Sequence, residues 1–151
     1  MTRWARGEAE IEALIAAGNL QRLTGEAANG ERLIAKAGRT VETAQLSVER
    51  DPDSAFVLAY DAARQALTGL LAHQGLRPTS KGGHYVIEQT VRAQFGTGFR
   101  HFGALRRRRN ELEYPVRLND DASVDEANES VSQARTIIEA AKALFDRLEL
   151  F

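Results

Sequence analysis

The sequence predicts an all-α protein, a helical bundle of about five to six helices joined by short loops. Two observations carry this prediction. Apolar residues recur three or four positions apart through most of the chain, the spacing of one helix face rather than the alternation of a strand. The breaks between these runs carry helix stop and start signals, namely Gly18, Asp51-Pro52, Gly75, Gly96-Thr97-Gly98 and Ser123. At 151 residues one domain with a sizeable core is expected. It divides into a short helical extension at about 1–23 and a bundle at about 24–148.

Taken in order, residues 8–17 read as a short helix with Ile11, Leu14 and Ile15 on one face and Gly18 as its stop. A connector at 19–24 leads to Thr24, a capping residue for a second helix to about Glu49. Ile34, Ala37, Val41, Ala44 and Val48 form its seam. Asp51-Pro52 places a cap before a proline at the first helical position. The third helix runs from there to about Gln74 and is the central one. Phe56, Tyr60, Ala63, Leu67 and Leu70 line one face, small alanines flank them, and Tyr60, Asp61 and Arg64 interrupt it with polar groups. Asp61 and Arg64, three apart, are spaced to pair. Residues 76–83, rich in proline, serine and glycine, read as a loop. A fourth helix covers about 84–94, with Ile87 and Val91 inward, and a fifth covers about 99–114, ended by Pro115. After a polar linker at 117–122, Ser123 and Glu126 form a capping box for a last helix to about Leu148. No segment reads as a strand.

The formal net charge is −1, so the chain as a whole is no general polyanion binder. The distribution is uneven. Residues 92–117 hold seven arginines against two glutamates, and residues 120–129 hold five acids and no base. A localised basic patch fits an RNA, nucleotide or acidic-protein site, and it equally fits a solvated helix face. The absence of cysteine removes disulfides, thiolate zinc sites and cysteine nucleophiles. No apolar run is long enough to span a bilayer and no signal peptide is recognisable, so a soluble cytoplasmic protein without membrane partners is expected.

The basic patch centres on FGALRRRRNELEYP at 102–115. On a helix, Phe102, Leu105, Arg109 and Leu112 share one stripe, so Arg109 sits on a packing face, snorkelling past a core or held at an interface. Arg106, Asn110 and Tyr114 form an adjacent polar stripe. Arg107 and Arg108 are expected to point into water. His73, His84 and His101 make no HExxH or HxxxH pair, so no metal site is expected, and no cofactor either. Lys81-Gly82-Gly83-His84 reads as a flexible helix entry, although helix N-termini also attract phosphates. No Walker loop, nucleophile elbow or spaced set of exposed aromatics is present. The spacing of a helix-turn-helix reader of DNA is also missing.

The order YDAARQAL (60–67), GGH (82–84) and RNELEYP (109–115) resembles the HEPN superfamily of helical domains, in particular those with an RRRRNxxEYP ending, over roughly residues 24–148. The resemblance implies a homodimer with the arginine motif lining a cleft at the two-fold interface, and a metal-independent endoribonuclease. It also implies the role of a toxin in a toxin–antitoxin or defence pair. By position, Arg109 is the arginine of the family motif and Asn110 its polar residue, while Tyr114 stands where the family places histidine. Arg109, Asn110 and Tyr114 are thus the catalytic candidates, and Arg106, Arg107, Arg108, His84 and Lys81 the RNA- or phosphate-binding ones. Tyrosine is a poor base at neutral pH, which leaves His84 and His101 as replacements from elsewhere in the bundle. The competing reading is a non-catalytic module that binds RNA, a nucleotide or a partner protein such as a nucleotidyltransferase antitoxin. Arg109 also has a purely structural reading, as an ion pair with Glu113 or Asp61.

Overall fold

Six α-helices and one short ribbon make up residues 4–151, which the structure, a computed structural model, describes. In chain order they are α1 (Glu8–Ala16), β1 (Leu20–Arg22), α2 (Glu31–Ser47), α3 (Pro52–His73), β2 (Leu76–Pro78), α4 (Gly83–Phe95), α5 (His101–Glu113) and α6 (Val124–Phe145), with single 3-10 turns at Gly25–Ala27 and Gly96–Phe99. The expected bundle is therefore present, with α3 as its axis. Its alanines and leucines are buried on several sides, and its largest contacts are with α2 and α6. The long helices α2, α3 and α6 pack against one another, and α4 and α5 pack on α3, with Phe99, Phe102 and Leu105 entering the core.

The start of α3 forms as its sequence predicts. The Ser54 backbone N–H donates to the Asp51 carboxylate at 3.1 Å, and Pro52 opens the first turn. At its other end Gln74 caps the helix and Gly75 turns the chain at φ +76, a conformation that favours glycine. Ser123 accepts from the Glu126 N–H at 3.0 Å, but the Glu126 carboxylate does not return to the cap. It is drawn across to Arg108 on α5 instead.

Two expectations are corrected. The second helix begins at Glu31, not at Thr24, because residues 25–27 form only a 3-10 turn and the Asn29 side chain accepts from the Glu31 N–H. Gly30 marks the new start. A Cβ there would overlap the carbonyl of Gly69 on α3, so the chain can enter α2 only by passing the axis as bare backbone. Residues 20–22 and 76–78 are also not plain connector and loop. They pair antiparallel, Leu20 opposite Pro78 and Arg22 opposite Leu76. Strands of three residues are too short to show alternation, and Pro78 stands at an end of the ribbon, where a missing N–H costs little. The ribbon carries the chain from α3 to α4 and holds α1 close to α4.

Candidate functional site

Where α3, α4 and α5 meet, the polar interruptions of α3 face the entry of α4. Tyr60 is fully buried, and its ring stacks on Phe102 of α5 with centroids 5.5 Å apart. Its hydroxyl lies 2.8 Å from Nδ1 of His84. Burial pushes the phenol up to about 12, against the pull of Arg64, Arg109 and Arg106, so it stays protonated at neutral pH. His84 is exposed as a residue, but its Nδ1 side rests against α3. That partial desolvation, together with the positive charge of Arg64 and then Arg109, holds the imidazole below the usual histidine range. The ring is consequently neutral near pH 7 and fixed by Tyr60, with Nε2 as its remaining nitrogen.

The guanidinium groups around this imidazole come from two helices. Arg64 lies one turn along α3 from Tyr60, with Nε 3.8 Å from Asp61. Arg109 reaches in from α5 with about a quarter of its side chain exposed, and its Nη2 is 3.5 Å from Glu113. The pairing with Glu113 is thus real but long. The Nε of Arg64 and the Nε of Arg109 are both buried without a hydrogen bond. Buried donors of this kind are costly unless something else occupies them.

The four consecutive arginines divide differently from the expectation of two solvated and two placed. Arg106 is mostly buried, donates from Nε to Glu88 at 2.9 Å and lies over the ring of Tyr85 at 5.2 Å. Arg107 is solvated, 61% exposed, and only approaches Glu88 at 3.8 Å. Arg108 is not in water. It is 19% exposed and binds Asp120 at 2.9 Å, Glu126 at 3.0 Å and Glu111 at 3.1 Å. Glu126 foremost raises its already high pKa. The acidic stretch at 120–129 therefore neutralises one arginine of the basic run, tying α5 to the linker and α6.

Asn110 is exposed on the last turn of α5, and Tyr114 caps that helix with a side chain 75% exposed. No hydrogen bond or ring contact joins the Tyr114 side chain to the cluster among the described residues. Lys81 donates to the carbonyl of Ala17 at 3.0 Å, so it ties the loop to the end of α1. His101 opens α5 eight residues before Arg109, about 12 Å along the helix. Of the two candidate histidines, only His84 is brought to the arginines. His73 is structural, stacked on Phe145 at 4.0 Å.

Glu88 carries no sequence motif, yet it organises this edge. It is 6% exposed and holds Arg92 at 2.6 Å as well as Arg106. Gly103 makes room for it, since a Cβ there would overlap the Glu88 carboxylate. Its i,i+4 spacing to Arg92 was the available signal. Among the described residues no group of three or more His, Cys, Asp or Glu is placed to hold a metal ion, and no helix is long and apolar enough to cross a membrane.

A family model described as HEPN domain matches residues 31–144. No curated protein and no solved structure matches the chain.

Proposed function

The chain belongs to the HEPN domain family, and from that premise we propose that it is an RNA-directed, metal-independent endoribonuclease whose proton-handling group is His84. The observation that carries the reading is an imidazole held at Nδ1 by Tyr60 and kept neutral within the positive field of Arg64 and Arg109. A phosphodiester bound beside His84 lies in the positive field of both guanidinium groups. The ribose 2′-hydroxyl then attacks the adjacent phosphorus. Its proton passes to Nε2 of His84, the O2′–P bond forms and the P–O5′ bond breaks, and the leaving oxygen takes a proton from water. Nδ1–H donates to the Tyr60 oxygen during this step and steadies the imidazolium. Arg109 and Arg64 stabilise the charge that develops on the phosphorane, and Arg106, held by Glu88 and Tyr85, adds to the positive field there.

Homodimerisation through the end of α5 fits the same reading. Tyr114, Val116 and Leu118 are 75, 87 and 95% exposed in a short stretch, an apolar edge suited to a second copy. A role as the toxin of a toxin–antitoxin or defence pair is part of the same proposal.

The test is cleavage of a mixed RNA pool by purified protein in EDTA, beside Arg109→Ala and His84→Ala. A loss of about a hundredfold or more is expected in each. Full activity in either variant would overturn the assignment. The exposure of Tyr114 and its separation from the cluster favour a second reading, a non-catalytic module binding RNA, a nucleotide or a protein such as a nucleotidyltransferase antitoxin. Salt-sensitive RNA binding by a wild-type protein that leaves the pool intact selects it.

A further inference from the structure

Between α1 and α4 lies a cleft of about 840 Å³, lined by Arg6, Glu10, Leu14, Tyr85, Gln89 and Arg92 among others. Its volume falls in the range of small-molecule sites, about 300–1,000 Å³. One wall is α1, which precedes the stretch matched by the family model. The other wall is a single face of α4, with Tyr85, Gln89 and Arg92 four and three residues apart.

The cleft and the His84 site share the first turn of α4. His84 and Tyr85 are consecutive in the first turn of α4, so one turns to the arginine cluster and the other to the cleft. Arg106 joins the two, with its guanidinium over the Tyr85 ring and its Nε on Glu88. We propose that this cleft is a subsite for one nucleotide of single-stranded RNA next to the scissile phosphate, with Tyr85 as its stacking platform. The inference rests on the RNA reading above.

The chemistry of the walls fits that ligand. Tyr85 keeps 46% of its surface exposed, and with Arg106 over one face of its ring a base stacks on the opposite face. Leu14 gives the base an apolar neighbour across the cleft. The Gln89 amide offers one donor group and one acceptor to a base edge. Arg92 spends one nitrogen on Glu88 and is still 63% exposed, so it can meet the next phosphate. A strand leaving the Arg64–Arg109 site toward α1 thus meets cation, ring and amide in turn.

The experiment measures binding of a fluorescent 2′-O-methyl octaribonucleotide, which lacks the attacking hydroxyl, by anisotropy. Wild type is compared with Tyr85→Ala, Tyr85→Phe and Ala13→Trp. Ala13 is an exposed residue on the α1 wall of the cleft, and tryptophan there takes up the space of the base. Tyr85→Ala and Ala13→Trp should each weaken binding about 5- to 100-fold, and Tyr85→Phe should stay within about threefold. An octamer carrying 5-iodouridine should photocrosslink to Tyr85. Unchanged affinity in Ala13→Trp and Tyr85→Ala overturns the subsite, as does wild-type protein that binds no octamer. Cleavage of unmodified RNA by the same preparations separates the two ideas. Active enzyme with unaltered octamer affinity in both variants removes the subsite alone. Intact RNA with the expected binding losses removes the nuclease alone.

Discussion

His84 and Glu88 stand one helical turn apart and do opposite things to the charges around them. His84 is kept neutral by partial burial and by the arginines nearby. Its NMR titration midpoint in the free protein should therefore lie below 6.5. The sign for catalysis follows. In the proposed reaction the neutral imidazole is the active form, so kcat/KM should hold steady above that midpoint and fall as pH drops through it. Arg64→Met removes a positive neighbour and should move both the midpoint and the acid limb upward. A limb unmoved by Arg64→Met would separate His84 from the observed titration. Glu88 gathers cations instead, and Glu88→Gln leaves Arg106 and Arg92 without their carboxylate. Urea unfolding should show a loss of about 2 kcal/mol, and RNA cleavage should fall through kcat if Arg106 is held for the site. Arg109 was legible at this scale because its place on the Phe102–Leu105–Leu112 stripe follows from helical geometry alone. Arg108 was not, since two of its three carboxylate partners lie far along the chain, Asp120 in the linker and Glu126 beyond it.

Among the elements, α2 offers a direct contrast between two glycines. Gly30 meets the Gly69 backbone, whereas a Cβ on Gly38 meets nothing within 4 Å. Gly30→Ala should push α2 off α3 and cost about 3 kcal/mol. Gly38→Ala should stabilise by up to about 1 kcal/mol through helix propensity. Thermal melts of the two variants check both, and similar shifts would contradict the close approach. The helices themselves were readable to within a few residues wherever a cap could be named, as at Asp51 and Ser123. The start of α2 was misplaced because Thr24 is a good capping residue in isolation, while the Gly30–Gly69 contact that sets the true start joins residues far apart in sequence.

Across the whole molecule, α5 is fastened to α4 and α6 while the stretch past its C-terminal end is left open. Arg108 binds it to α6 and the linker, and the linker is tied to α3 where the Ala122 N–H donates to Asp53 at 2.6 Å. Beyond its end, Val116 and Leu118 remain exposed. Replacing both by aspartate should yield a monomer in sedimentation and reduce cleavage at least tenfold, if the cleft is completed by a second copy. A monomeric wild type would exclude that arrangement.

What the sequence determined by itself was the helical class, the family resemblance and the central position of α3. These rest on periodicity and on caps, which are local in the chain. Tertiary structure alone decided three things. It selected His84 over His101 as the imidazole beside the arginines, it gave Arg108 to the acidic stretch, and it paired residues 20–22 with 76–78. Each depends on long side chains or very short strands meeting across more than ten residues of sequence. No local pattern encodes such a meeting, because its energy exists only once the helices have packed.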